Sequence, residues 1–395
     1  APVVKPAPVV KPAPVVKPAP VVKPAPVKKK GKRIVINFYG EKVEFYYDKK
    51  LKASSANRIN RKTISKSWET LSLADYDNLL LQARDFKDTA RLNDWGYHRL
   101  LYKIGEGIYG KNHDNSINIF VWFMLSKANY EAKVAYNDDK VFLLLPSKNK
   151  IFAAPYLTLD GKRFYAISMD GKKKKLGSLY TYKGNYPGAD QPMDYSINVT
   201  PAIKTQIVNK DLSFKYRGKK HKLQVKYNRI IPAFFKHYPQ TDFKVYFDAS
   251  VSEEAGQSLL QALKPLVEGK SEGEAVNLII RFVQTAFKYK TDAKQFGREK
   301  YLLPEETLFY PFSDCEDRSI LFAYLVKNLT GLEVVGLHYP NHMATAVRFS
   351  DNIKGDAITY NGKRYLVCDP TYVNADIGKA MPQFKKVKPK VIRIG

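Results

Sequence analysis

The chain repeats itself, and that repetition limits the possible fold more than any other feature of its 395 residues. Ile34 to Tyr39 and Lys42 to Tyr47 flank Gly40-Glu41 as one β-hairpin. Leu212 to Tyr216 and His221 to Tyr227 flank Arg217-Gly218-Lys219-Lys220 as a second, with apolar residues alternating at Leu212, Phe214 and Tyr216 and at Leu223, Val225 and Tyr227. Each is followed by a helix with a leucine-rich tract: Leu79-Leu80-Leu81-Gln82-Ala83 behind a Ser72 cap, and Leu259-Leu260-Gln261-Ala262 behind a Ser252 cap. Further on, Leu159-Asp160-Gly161-Lys162-Arg163-Phe164-Tyr165 is mirrored by Tyr360-Asn361-Gly362-Lys363-Arg364-Tyr365-Leu366. Three matches in one order predict two related halves, 33–183 and 205–395, joined by a linker over 184–204.

Ahead of them, residues 1–24 are four tandem copies of Ala-Pro-Val-Val-Lys-Pro, running on through a basic stretch to residue 32. Proline at this density removes donors and fixes φ, so the segment reads as an extended or disordered spacer. The formal net charge of +28 favours anionic neighbours such as an acidic envelope polymer or anionic lipid. Nucleic acid is the less favoured polyanion, because no RNA-recognition or zinc-finger motif accompanies the charge. Two cysteines are too few for a disulfide framework, and no run approaches the ~20 apolar residues of a transmembrane segment. The sequence starts at Ala1 rather than Met, as a chain relieved of a signal peptide would, which points to a periplasmic or envelope location.

In the second half, Ser271 to Phe287 reads as a helix with a Ser271-x-x-Glu274 capping box and an apolar stripe at Val276, Ile279, Ile280, Val283 and Phe287. After a loop with Pro304 and Pro311, a helix starts at Ser313-Asp314-Cys315-Glu316 and stops before Gly331. Strands follow over Glu333 to Tyr339, His342 to Phe349, Ala357 to Tyr360 and Arg364 to Asp369.

This order carries chemistry. A cysteine in the first turn of a helix meets the positive end of the helix dipole, so its thiolate is favoured. His342 begins an alternating strand on which Ala344 and Ala346 share its face, leaving room for another element, such as the cysteine helix. Asp369 ends a strand immediately before Pro370, where a carboxylate can orient an imidazole. Cys368 points the other way by alternation, so it reads as a buried apolar residue and not as a disulfide partner of Cys315. Singly, each residue has a plain structural reading; together, in this order and on these elements, they read as a Cys-His-Asp constellation.

Phe312-Ser313-Asp314-Cys315-Glu316-Asp317-Arg318, Asn341-His342-Met343-Ala344-Thr345-Ala346-Val347 and Val367-Cys368-Asp369-Pro370-Thr371-Tyr372 resemble the transglutaminase-like superfamily. The likeness spans roughly residues 270 to 380 and includes Tyr289-Lys290-Thr291-Asp292 through Gln295-Phe296-Gly297, which looks like the entry region of bacterial members. The resemblance implies an α+β, papain-like core, duplicated in tandem, with a cysteine helix packed on an antiparallel sheet. It also implies Cys315 as nucleophile, His342 as general base and acid, and Asp369 as orienting carboxylate.

Matching Asp94-Trp95 to Asp314-Cys315 puts Trp95 at the nucleophile position, and similar counting puts Val141 and Ser168 opposite His342 and Asp369. The first half is therefore expected to be a degenerate copy without the triad. The reaction expected of the second half is attack of the Cys315 thiolate on an amide of a peptide or protein, through a thioester resolved by water or an amine. The backbone N–H of Cys315 is the candidate oxyanion donor, with Gln295 a second. No cofactor and no metal ligand is expected. The rival expectation is a non-catalytic scaffold or binding subunit of a larger envelope assembly.

Overall fold

The computed structural model describes residues 29–52, 58–171, 176–182, 184 and 186–395; the Ala-Pro-Val-Val-Lys-Pro copies and the Lys172 to Lys175 run lie outside them. The first half opens with β1 (Lys32–Phe38) and β2 (Glu41–Tyr47). Four helices follow, α1 (Arg61–Ser72), α2 (Tyr76–Thr89), α3 (Asp94–Tyr109) and α4 (Asp114–Lys127). The half closes with β3 (Lys133–Tyr136), β4 (Val141–Pro146), β5 (Tyr156–Leu159), β6 (Lys162–Tyr165) and β7 (Tyr180–Thr181).

The second half begins with β8 (Ile207–Tyr216) and β9 (Lys219–Asn228), then α5 (Ile230–Phe235), α6 (Phe243–Phe247), α7 (Glu253–Val267) and α8 (Glu272–Ala286). An excursion holds β10 (Lys288–Tyr289), α9 (Asp292–Phe296), α10 (Pro304–Phe309) and β11 (Phe312–Ser313). Then come α11 (Cys315–Thr330), β12 (Val334–Tyr339), β13 (His342–Val347), β14 (Ala357–Tyr360), β15 (Lys363–Cys368) and β16 (Lys390–Arg393).

The two five-stranded antiparallel sheets share one topology, β5-β6-β4-β3-β7 in the first half and β14-β15-β13-β12-β16 in the second. Their third hairpins turn through Asp160-Gly161 and Asn361-Gly362, all at positive φ, the turn whose twist suits a two-residue connection. The opening hairpins turn the same way through Tyr39-Gly40 and Arg217-Gly218, so the second is tighter than the four-residue loop read from sequence. Helices lie over antiparallel sheets in both halves, an α+β architecture.

Packing fixes which helix answers to which. α3 lies on β1 and α8 on β8, whereas α4 and α11 each pack on the second strand of their sheet. Asn118 Nδ2 donates to the carbonyl of Val141 as Ser319 Oγ donates to that of Met343. In this match Asp114, not Trp95, stands where Cys315 stands. The misplacement has a simple origin: the second half inserts the β10–β11 excursion between α8 and α11, where the first passes directly from α3 to α4. The strand register corrects a second position. Tyr339 and His342 close a two-residue turn, as do Asn137 and Lys140 through an N–H to carbonyl bond of 3.0 Å, so Lys140 is opposite His342. Ser168 does fall opposite Asp369, at the same interval from its turn glycine.

One buried apolar cluster runs through both halves, from Ile34 to Ile392. Trp95 lies within it, fully buried and edge-on to Tyr238 of the second half. Beside it, a Cβ on Gly96 would come within 2.9 Å of the Phe234 ring, so these halves meet at backbone distance. The linker is packed as well, with Met193, Tyr195 and Ile197 buried and Met193 bridged to Ser147. Ser252 caps α7 by accepting from Ala255 N–H, but Ser72 caps nothing; it ends α1, and Asp75 precedes α2. No helix among the described residues is long and apolar enough to cross a membrane.

Candidate active site

Cys315 is the first residue of α11, after Asp314 in extended conformation. Asp317 Oδ2 accepts from the Asp314 N–H at 3.1 Å, fixing the chain as it enters the helix. Arg318, 1% exposed, ties this turn to its surroundings: its guanidinium donates to Ser313 Oγ and to the carbonyls of Gln284 and Phe287. The cysteine side chain is buried at the base of the sheet, where the backbone amide of Met343 points at the sulfur.

Pro340-Asn341 delivers His342 to the start of β13. Proline sets the first φ, and Asn341 takes the left-handed φ of 55° that asparagine tolerates. His342 Nε2 lies 2.8 Å from Asp369 Oδ2. The other carboxylate oxygen, Oδ1, accepts from the N–H groups of Thr371 and Tyr372 at 2.9 and 3.2 Å, so the carboxylate is held turned toward the ring. Gln284 Nε2 braces the same loop through the carbonyls of Asp369, Tyr372 and Ala375. The imidazole stacks flat on Phe384, 4.9 Å between centroids and 1° between planes.

The sheet face differs from expectation. Ala344 and Ala346 do share the His342 side of β13, but that side packs on Val335, Leu337, Tyr365, Val367 and Ala380, with Phe384 against it. The cysteine helix lies on the opposite face, with Met343 and Val347. Cys315 therefore meets β13 at the Met343 peptide, next to His342 in the chain, rather than across the alanines. Cys368 is fully buried and, like Cys315, a free thiol.

The electrostatics also differ. A helix N-terminus alone would favour a thiolate, yet burial pushes the Cys315 thiol up, and the Glu316 charge adds to the shift. Glu316 Oε2 accepts from Sγ at 2.9 Å, Asp314 raises the thiol further, and the Met343 amide opposes them. Behind the cysteine, single carboxylate oxygens of buried Asp292, Asp314 and Asp317 lie within 4.8 Å of one another. Burial first, then neighbouring carboxylates, push Asp292 up to about 7, Asp314 up to about 11 and Asp317 well above the usual range. Backbone amides of Lys300 and Leu302 donate into the cluster, and Asp292 N–H donates to Asp314. Among the described residues, this is the set that could hold a metal ion. Positions 292, 314 and 317 carry no loop spacing that would have flagged it in sequence.

The structure thus pairs His342 with Asp369 and sets Cys315 against the amide next to His342. Gln295 donates to the carbonyl of Phe312, close upstream of Cys315. The sequence reading missed Glu316, Arg318, Gln284 and Phe384; a buried arginine or glutamine has no signature until its acceptors are known. No protein-family model matches the chain, and no curated protein is detectably similar to it.

Proposed function

We propose that this protein is a thiol-dependent acyltransferase or amide hydrolase of the cell envelope, built on a papain-like, transglutaminase-like core. One observation carries the reading: Asp369 is locked by two backbone amides so that its free oxygen meets His342, beside the helix N-terminus that bears Cys315. With Nε2 carrying its hydrogen toward Asp369, Nδ1 keeps the lone pair that a base needs. Sγ attacks the carbonyl carbon of an amide while its proton passes to Nδ1. The same proton then goes to the leaving nitrogen as the C–N bond breaks, leaving a thioester. Water or an amine attacks the thioester, His342 takes the incoming proton, and the thiol regains it as the C–S bond breaks. General base catalysis of this kind contributes ~10²- to 10⁴-fold. The Cys315 N–H, one of the first amides of α11 with no intrahelical acceptor, is the oxyanion donor. The envelope location belongs to the same proposal and rests on the +28 charge and the Pro-Val-Lys repeat.

The electrostatics favour a second reading, a non-catalytic scaffold on the same fold, because burial and Glu316 hold Cys315 as a thiol. Alkylation of Cys315 by iodoacetamide separates the two, with Cys315→Ala giving the background. Labelling at least tenfold faster in the wild type than in His342→Ala supports the enzyme. Equal rates, no faster than a free thiol, leave the scaffold.

A further inference from the structure

A cavity of about 640 Å³ lies between the halves, of a size common to ligand sites. One wall comes from the first half and the linker, including Lys150, Phe152 and Asn198; the other comes from α6, His338 and β16. β16 is the edge strand of its sheet, and all four of its residues line the cavity. Its charges are unbalanced. Lys150, Lys244, Lys390 and Arg393 face two carboxylates that are already engaged: Asp248 by Lys244 and the Gly395 N–H, Asp242 by the Lys150 N–H.

One lining residue, His338, is a sheet neighbour of the candidate active site. His338 pairs across β12 and β13 with Met343, whose amide points at Cys315, so the two are about one strand spacing apart, ~5 Å. Phe243 stacks on Tyr301 at 4.3 Å and sits 5.0 Å from the His338 ring, paving the way between them.

We infer that this groove binds an acidic, extended peptide segment of the acyl donor, laid along β16 with its carboxylates on Lys150, Lys390 and Arg393. The inference rests on the proposed role of Cys315. An edge strand offers backbone donors and acceptors to an added strand, and the exposed Phe152 gives an apolar side chain a place to rest. A backbone-matched edge selects a peptide over a phosphate chain, and the cations select the acidic one.

The test uses the full chain carrying Cys315→Ala, so that binding is read without turnover. The probes are a fluorescein-labelled ten-residue peptide of alternating Glu and Ala and its Gln-Ala counterpart, followed by anisotropy. The acidic peptide should bind at least tenfold more tightly. Lys390→Glu with Arg393→Glu should remove most of that preference, and Lys150→Glu on the facing wall should reduce it. Lys219→Glu with Lys220→Glu, at the exposed β8–β9 turn, should leave it unchanged and so separates the groove from the general basic charge. Equal binding of the two peptides overturns the inference, as does an equal loss from the β8–β9 pair. Duplex DNA bound as tightly through the same three residues also overturns it, replacing the peptide with a generic polyanion. A tight, groove-dependent acidic peptide that fails to slow Cys315 alkylation in the wild type would preserve the groove but detach it from Cys315. Inert Cys315 with intact peptide binding would instead strike the proposed chemistry alone.

Discussion

His342 and Asp369 are joined at 2.8 Å, and the carboxylate that makes this bond has no freedom to turn away, because Thr371 and Tyr372 hold its other oxygen. Asp369→Asn should keep those two backbone bonds while presenting an NH₂ to Nε2. That forces the ring hydrogen onto Nδ1, the nitrogen that the proposed mechanism uses as the base. Thioester formation should fall by roughly 10³- to 10⁴-fold with little change in melting temperature. Single-turnover rates within a factor of three of the wild type would sink the tautomer argument.

Glu316 sits against the thiol, and its charge raises the thiol's pKa. Glu316→Gln removes the charge and keeps an acceptor, so the pKa of Cys315 should drop. The pH profile of iodoacetamide labelling should move toward lower pH, with a rate at pH 8 higher by roughly tenfold, one pKa unit. An unmoved profile would mean that burial alone controls the thiol.

The aspartate cluster sets a stability trend with an unusual sign. Asp292 is pushed up to about 7 in the folded chain, against an ordinary value of ~3.9 unfolded. Between those values the unfolded chain releases a proton that the folded chain keeps, so this contribution is present below about pH 4 and is lost as pH rises through about 7. Asp292→Asn can still accept from the Lys300 N–H and escapes the loss. It should stabilise the protein at pH 8 by on the order of 2 kcal/mol and leave it unchanged near pH 4. Thermal melts at both pH values decide, and an equal shift at each would refute the assignment.

Gln284 is 2% exposed and satisfies three carbonyls and the Asn374 N–H. Gln284→Ala leaves these groups without partners in a dry site, at a cost of about 2 to 3 kcal/mol. Urea denaturation should show that loss, together with slower Cys315 labelling as the Asp369 loop loosens. A loss below about 0.5 kcal/mol would show that water replaces the side chain.

Local signals survived into the structure where they depend on short-range chemistry. The Asp160-Gly161 and Asn361-Gly362 turns, the Ser252 cap, the Gly331 stop at φ 73° and the alternation that buries Cys368 are all set by neighbours a few residues away. Correspondence between the halves was harder to read. Trp95 looked like the counterpart of Cys315 because an aspartate precedes each at a helix start. The excursion between α8 and α11 shifts the true match to Asp114, and only packing against the sheet reveals it. The aspartate cluster was illegible because 292 and 314 meet through a two-strand parallel contact between β10 and β11, which has no period to detect.

Trp95, Phe234 and Tyr238 belong to a single apolar mass shared by both halves. The halves therefore share part of their interior, while each keeps a smaller cluster on the far face of its sheet, with Ala135, Leu144 and Phe164 in the first and Leu337, Ala344 and Val367 in the second. Asp114, Lys140 and Ser168 stand where the second half carries Cys315, His342 and Asp369, so the two copies are under different obligations. The first can drift at those three positions without consequence for the common interior, but a deletion that removed it would uncover the apolar surface of the second half around Phe234 and Tyr238. Heating should melt them together, and expression of residues 205–395 alone should yield an aggregating chain rather than a smaller protein.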